Sequence, residues 1–151
     1  MTVELITAAT PELHEAMARL LPQLSRSAKP MSEADVERFL AQGGVHLFVF
    51  RPDAADDEGN RPILGMLSLA TFEIPTGVRA WVEDVVVDEA ARGQGAGQSL
   101  VVAAIEHAKK VGARTVDLTS RPSREAANRL YQRAGFKLRE TNVYRVTLEQ
   151  K

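Results

Sequence analysis

The 151-residue sequence predicts a single α+β domain over residues 1–151, with a mixed, largely antiparallel central β-sheet flanked by about four helices. Two observations predict this fold class. First, strand-like runs separated by turn residues follow one another up to residue 81, as expected for an antiparallel meander. Second, residues 81–118 read as strand, glycine-rich turn, long helix and strand, so the two strands of this β-α-β unit are expected to be parallel.

The N-terminal part is predicted to contain one strand and two helices. Residues 3–6 form the strand. Thr10 supplies an N-cap and Pro11 the first position of a helix that runs to about residue 24. After a polar connection, Ser32 begins a second helix, which is expected to end at the glycine pair 43–44.

A hairpin with an elongated tip is predicted next. Residues 45–50 form a strongly apolar strand, and residues 63–72 form its partner. The loop between them, residues 51–61, is rich in aspartate but lacks the spacing of a calcium-binding loop, so its acids are expected to solvate it. No metal site is predicted. A turn at residues 75–77 leads into the first strand of the β-α-β unit.

A glycine-rich turn at residues 92–98 joins the strand ending at Val87 to a helix that Gly112 ends. Glycine has no Cβ, so backbone N–H groups in such a turn can approach a phosphate closely. The positive end of the helix dipole adds to their field. The turn therefore predicts a diphosphate site, with a purely structural turn as the alternative.

The spacing of the glycines decides between kinds of diphosphate site. A dinucleotide fingerprint counted from Gly93 requires glycine where the chain has Gln98, and counted from Gly95 it requires glycine where the chain has Leu100. A nucleoside-triphosphate loop requires lysine, and none occurs between Met31 and His107. Neither pattern fits the turn.

The C-terminal part is predicted to continue the sheet. A buried strand at residues 115–118 is followed by a helix that Ser123 caps and Gly135 ends. Ala127, Leu130 and Tyr131 share one side of that helix. Two further strands are expected at residues 137–140 and 143–148.

Composition narrows the function. The net charge is −1 with acids and bases interspersed, so neither nucleic acid nor a membrane surface is an expected partner. The chain has no cysteine, so any thioester chemistry would need a thiol from a cofactor. No apolar stretch approaches the length of a membrane span, and no signal peptide is recognised, so the expected location is the cytoplasm.

Two motifs together identify a resemblance. Arg92-Gly93-Gln94-Gly95-Ala96-Gly97 has the Arg-x-x-Gly-x-Gly form of the acetyl-coenzyme A loop in the GNAT superfamily of N-acetyltransferases, which it resembles. Asn128-Arg129-Leu130-Tyr131-Gln132-Arg133-Ala134-Gly135-Phe136 is similar to the second signature of that family. The two occur in the family's order, and the close resemblance covers residues 82–136.

The resemblance implies a GNAT-like fold in which acetyl-coenzyme A (acetyl-CoA) lies where the strand ending at Val87 and the strand from Thr115 splay apart. It assigns cofactor contacts to Val85, Val86, Val87, Arg92, Gly93, Gln94, Gly95, Ala96, Gly97, Gln98 and Asn128. Backbone groups of Val85 and Val87 would pair with the pantetheine amides once a bulge frees them. For Arg92, a structural salt bridge is an equal alternative. Arg124 stands where the family often has asparagine, which leaves that cofactor contact open.

Acetyl transfer to an amine requires a base, a stabilised oxyanion and an acid for the leaving thiolate. Glu83 is the candidate base, on the face of Val85 and Val87 if no bulge intervenes; a bulge would move Asp84 into that position. Tyr131 is the candidate acid, because a phenol's reference pKa of about 10 suits proton exchange with a thiol. Solvent exposure of the acids and packing of Tyr131 are the structural alternatives.

The sequence therefore predicts an acetyl-CoA-dependent N-acetyltransferase that acts by direct attack of a primary amine from a small molecule or peptide. A non-catalytic acyl-CoA sensor module is the alternative. A nicotinamide oxidoreductase is supported only by Asp117 and contradicted by the glycine spacing. The acceptor's identity is not encoded in any recognisable motif. Dimers are common in the family, so the resemblance leaves a homodimer open.

Overall fold

The computed structural model describes residues 2–149, which form a five-stranded sheet and four α-helices. In chain order the elements are β1 (Thr2–Ile6), α1 (Pro11–Leu24), α2 (Glu33–Leu40), β2 (Val45–Arg51), β3 (Gly65–Ile74), β4 (Gly77–Val87), α3 (Ala96–Lys110), β5 (Thr115–Asp117) and α4 (Glu125–Arg133), with a short 3₁₀ helix at Glu89–Ala91 between β4 and α3. The strands lie in the order β1-β2-β3-β4-β5, antiparallel except for the parallel pair β4 and β5. The predicted fold class is confirmed.

Helices α1 and α2 begin at the N-caps predicted from the sequence, Thr10 and Ser32. Thr10 Oγ1 accepts a hydrogen bond from the N–H of Leu13 at 3.1 Å, and Ser32 forms a capping box with Asp35. The second helix ends at Leu40, before the glycine pair. Its last turn is closed there because the backbone N–H and the side-chain amide of Gln42 both donate to the carbonyl of Phe39.

Each face of the sheet is covered by helices, which makes two separate cores. Helix α3, with residues of α4, packs on one face, where Phe50, Leu67 and Leu100 are fully buried. Helices α1 and α2 pack on the other face, where Leu20 and Val49 are fully buried. The apolar strands predicted from the sequence are therefore buried from both sides, which explains their nearly continuous hydrophobicity.

Strand β4 contains a bulge. Ser68 of β3 pairs with Glu83, but Met66, two residues away, pairs with Val86, three residues away. The extra residue lies around Asp84, which has a left-handed φ of 49°. As a result Val82 belongs to the core under α3 and Val86 to the core under α1 and α2, although residues four positions apart share one face of a regular strand.

The parallel pair is short. Register between β4 and β5 runs only from Arg79 and Thr115 to Trp81 and Asp117. Beyond Trp81, β4 continues for six more residues with no strand on that side among the described residues. The two strands therefore splay apart toward the end of β4.

Two predictions about the C-terminal part are wrong. Ser123 does not cap α4: the N-cap is Arg124, which has no side-chain cap bond. Asn128 Nδ2 instead donates to the carbonyls of Arg121 and Arg124 at 2.9 and 2.8 Å, and this ties the preceding loop to the helix. The strands expected at 137–140 and 143–148 are absent, because residues 137–149 pair with no strand of the described chain and are exposed throughout.

Candidate active site

A cleft of about 90 Å³ opens where β4 and β5 separate. Its walls come from the end of α1, the bulged part of β4, the residues after β5, and α4. They consist of Leu24, Val82, Glu83, Asp84, Val85, Leu118, Thr119, Arg124 and Tyr131. The fold thus brings both candidate catalytic residues, Glu83 and Tyr131, to one cleft.

The edge of β4 beside the cleft exposes backbone groups. Val86 pairs with β3, and the N–H of Asp88 donates to the carbonyl of Leu64 at 2.8 Å on the same side. Backbone groups alternate between the two sides of a strand, so those of Val85 and Val87 point toward the open edge. The bulge determines which residues of β4 direct their backbone groups to the open edge. An extended chain that carries amides can pair with these groups as an added strand.

The chain between β4 and α3 is held by Asp88. Its Oδ1 accepts from the N–H of Ala90 at 2.9 Å, and its Oδ2 accepts from Arg19 Nη1 at 2.6 Å. The hydrogen bond from Ala90 and the Arg19 guanidinium lower the pKa of the Asp88 carboxyl. Arg19 also donates to the carbonyl of Ile63 at 2.8 Å. Sequence reasoning missed this support, because Arg19 and Asp88 are 69 residues apart; only the local Asp88–Ala90 turn had a sequence signal.

Helix α3 begins with uncapped backbone donors. Its N-cap is Gly95, with a left-handed φ of 77°, no side-chain cap bond, and no acid in the first turn. The positive end of the helix dipole is therefore not neutralised by the protein, as suits an anion site. Gly97 has a second role: a Cβ there would lie 2.8 Å from Leu130 Cδ1, so its absence lets α3 approach α4 closely.

Glu83 does not share a face with Val85 and Val87. The bulge places both valines against the core under α3, whereas Glu83 is next to Val82 of that core and points to the opposite face. Glu83 is exposed, and its Oε1 accepts from Trp81 Nε1 at 2.8 Å. Because the strand is bulged, the expected placement of Glu83 on the face of Val85 and Val87 is not found. Glu83 and Asp84 nevertheless both line the cleft.

Tyr131 is 9% exposed and packs edge-on against Phe136, with ring centroids 5.9 Å apart. Burial raises the pKa of its phenol, and the nearby Arg124 guanidinium opposes that shift. The hydroxyl is therefore protonated at neutral pH. A protonated phenol that lines the cleft can donate its proton to a leaving group there.

Residues 11–136 match the family model described as the acetyltransferase (GNAT) family, which covers more than half of the chain. The chain belongs to the GNAT family. It is also 37% identical over 121 residues to glucosamine 6-phosphate N-acetyltransferase 1 of Oryza sativa subsp. japonica, an alignment that covers 78% of this chain and 70% of the rice protein.

Solved structures agree with the GNAT fold. An acetyltransferase of Trypanosoma brucei superposes with a TM-score of 0.74 at 27% identity, covering 97% of this chain and 100% of the other. AAC(6')-Iy, solved with the bisubstrate analogue CoA-S-monomethyl-acetylneamine, superposes with a TM-score of 0.76, covering 97% of each chain. At 16% identity that second likeness shows the fold alone.

Three further polar residues near the cleft and the glycine-rich turn differ in exposure and in hydrogen bonding. Arg92 is exposed, and no ion pair between residues 2 and 149 includes its guanidinium. Arg124 lines the cleft at the N-cap of α4. Asn128 uses its amide donors on backbone carbonyls, so its cofactor contact stays a prediction.

Proposed function

We propose that this chain transfers the acetyl group of acetyl-CoA to a primary amine by direct attack. The observation that carries the proposal is the continuity between the open edge of β4 at Val85 and Val87 and the uncapped start of α3 at Gly95. An extended pantetheine arm suits the first, and a pyrophosphate suits the second. Members of the GNAT family use acetyl-CoA, which supports the assignment.

In the proposed reaction the amine nitrogen attacks the thioester carbonyl, the C–S bond breaks, and the thiolate leaves with a proton. Glu83 takes a proton from the incoming ammonium, directly or through water, and Tyr131 gives one to the thiolate sulfur. The second proton that the nitrogen loses as the adduct collapses restores the phenol. The backbone N–H near Val85 polarises the carbonyl oxygen. Asp84, displaced by the bulge into the same cleft, is the second candidate for the base.

The acceptor is proposed to be a small molecule or peptide with a protonated primary amine. Two exposed carboxylates, Glu83 and Asp84, line the cleft and favour the approach of a cation. Arg124 adds a positive group at the same cleft, where it could meet an anionic substituent of the acceptor. Amino sugar phosphates are therefore the first acceptors to test, and the rice relative, named for glucosamine 6-phosphate, supports that choice.

The experiment is an acceptor screen with detection of free coenzyme A thiol, which is clean because the protein has no cysteine. The panel contains glucosamine 6-phosphate, glucosamine, an aminoglycoside, spermidine and a lysine-containing peptide. We expect acceptor-dependent thiol release with at least one of them. Tight acetyl-CoA binding with no release above hydrolysis for any amine would instead support the sensor module.

A further inference from the structure

The side chain of Glu83 is held by one specific donor. The indole N–H of Trp81 donates to Glu83 Oε1 at 2.8 Å. The two residues are two positions apart on β4, so their side chains lie on the same face of the strand. A hydrogen bond to an ionised carboxylate is about twice as strong as one between neutral groups. The bond therefore gives the exposed Glu83 side chain a defined orientation.

The indole is itself well fixed, because Trp81 lies where the cleft begins. It is the last residue of β4 that pairs with β5, opposite Asp117, and on its other side it pairs with Ala70 of β3. Its backbone is thus held between two strands, and the small side chain of Ala70 leaves space for the indole ring on the shared face. Trp81 is half-buried, and a tryptophan side chain has only two χ angles to restrict. The donor is therefore in place before an acceptor binds.

The bond leaves one oxygen of the carboxylate available. Within residues 2–149 the indole is the only hydrogen-bond donor to the Glu83 side chain, so Oε2 has no partner. Glu83 lines the cleft, whereas Trp81 is not among the lining residues. One oxygen therefore anchors the side chain, and the other can accept a proton from an ammonium group. The influence of the indole on that transfer passes through Glu83.

Asp84, the other carboxylate in the cleft, has no comparable support. It lies at the bulge with a left-handed φ of 49°. In the described part of the chain no hydrogen bond or ion pair holds its side chain. Asp84 would have to be ordered as the acceptor arrives, which costs conformational entropy.

We propose that Trp81 is a positioning residue that orients Glu83 for proton transfer from the acceptor amine. The inference rests on the proposed function and deepens it, since it names the contact that makes Glu83, rather than Asp84, the base. Without the indole N–H, the Glu83 side chain is free to adopt its other rotamers. The carboxylate is then correctly placed for a smaller fraction of the time, and small misplacements at a reacting centre lower the rate.

The first test is a double-mutant cycle on the rate of acetyl transfer. Trp81→Phe keeps an aromatic ring and removes the N–H donor. We expect it to lower kcat about tenfold in the wild type and equally in an Asp84→Asn background, with KM for acetyl-CoA changed less than about twofold. In a Glu83→Gln background the same substitution should lower kcat less than about twofold, because the group on which it acts is gone.

Two outcomes of the cycle would overturn the proposal for different reasons. An equal loss of kcat from Trp81→Phe in the wild-type and Glu83→Gln backgrounds would show that Trp81 acts through packing alone, and the proposed base would stand. A wild-type rate in Glu83→Gln would instead remove the base from the proposed function, and the positioning role with it. Circular dichroism on each variant confirms that the compared proteins are folded.

The second test detects the bond itself and requires no turnover. The chain has one tryptophan, so a ¹⁵N-labelled sample gives a single indole N–H cross-peak in an NMR spectrum. We expect Glu83→Ala to move the indole proton upfield and to speed its exchange with solvent. Asp84→Asn, which removes the neighbouring carboxylate, should change neither. The same proton shift and exchange rate in the wild type and Glu83→Ala would show that the indole does not hold Glu83, and would overturn the proposal.

Discussion

Tyr131 is the single residue on which the proposed proton delivery to the thiolate depends. Its phenol is nearly buried and keeps its proton at neutral pH, because burial raises its pKa. Tyr131→Phe keeps the ring packing against Phe136 and removes only the hydroxyl. We expect turnover to fall about ten- to a thousandfold with little change in acetyl-CoA affinity. Tyr144→Phe, in the exposed C-terminal segment of residues 137–149, is the matched control and should leave turnover unchanged.

Glu83 and Asp84 are both candidates for the base, because both line the cleft at the bulge in β4. Single substitutions can distinguish them. Glu83→Gln is expected to keep acetyl-CoA binding, lower the rate about a hundredfold or more near neutral pH, and flatten the acidic limb of the rate profile. Asp84→Asn should have a much smaller effect. The reverse ranking would assign the base to Asp84. Two near-normal rates would mean that the enzyme works chiefly by holding the amine beside the thioester.

His46 gives the fold a pH dependence that is separate from catalysis. Its ring lies 4.4 Å from the ring of His107, and burial, followed by the charge of His107, lowers the pKa of His46. The unfolded chain therefore binds the His46 proton more readily. The free energy of unfolding should fall as the pH drops below the ordinary histidine value of about 6.5. Urea unfolding from pH 7.5 to 5.5 measures this slope, and His46→Gln should reduce it; an unchanged slope would rule His46 out as its source.

At the scale of elements, the bulge in β4 determines how the cleft is built. It requires Asp84 to hold a left-handed φ, which aspartate tolerates but a β-branched residue does not. We expect Asp84→Val to lower the free energy of unfolding by about 1–3 kcal/mol. Asp84→Gly should leave it unchanged or raise it, since glycine adopts this φ without strain. Equal unfolding midpoints in urea for the two variants would contradict a strained bulge.

Elements with local chemical signals were predictable from the sequence. Thr10 and Ser32 mark helix starts that the structure confirms, and Gly112 and Gly135 follow helix ends with left-handed φ values of 81° and 106°. The bulge had no such signal, because Asp84 is an ordinary residue and the extra position is defined only by the register with β3. The N-cap prediction for α4 is wrong because the helix begins one residue later than expected, with Arg124 at the N-cap and no side-chain cap bond.

At the scale of the whole molecule, the short parallel pair of β4 and β5 at one side of the sheet opens the cleft. The β-α-β unit predicted the parallel pair, and the two glycine-containing motifs predicted the family; both candidate catalytic residues chosen from the sequence, Glu83 and Tyr131, line one cleft. The contacts between residues that are far apart in the sequence could not be predicted. The ion pair of Arg19 with Asp88 joins distant parts of the chain. Residues 143–148 have the alternation of a strand, but alternation indicates only which face is apolar and does not identify a sheet edge for the segment to join.

The central claim, that acetyl-CoA binds between the open edge of β4 and the start of α3, is tested most directly by calorimetric titration of three proteins with acetyl-CoA. They are the wild type, Gly95→Glu and the control Gly59→Glu, which has a left-handed φ of 83° in an exposed loop and so adds the same charge under similar backbone strain. We predict micromolar-range binding for the wild type and Gly59→Glu, and its loss in Gly95→Glu, because a carboxylate would occupy the pyrophosphate position. Wild-type affinity in a Gly95→Glu protein that circular dichroism shows to be folded would contradict the account.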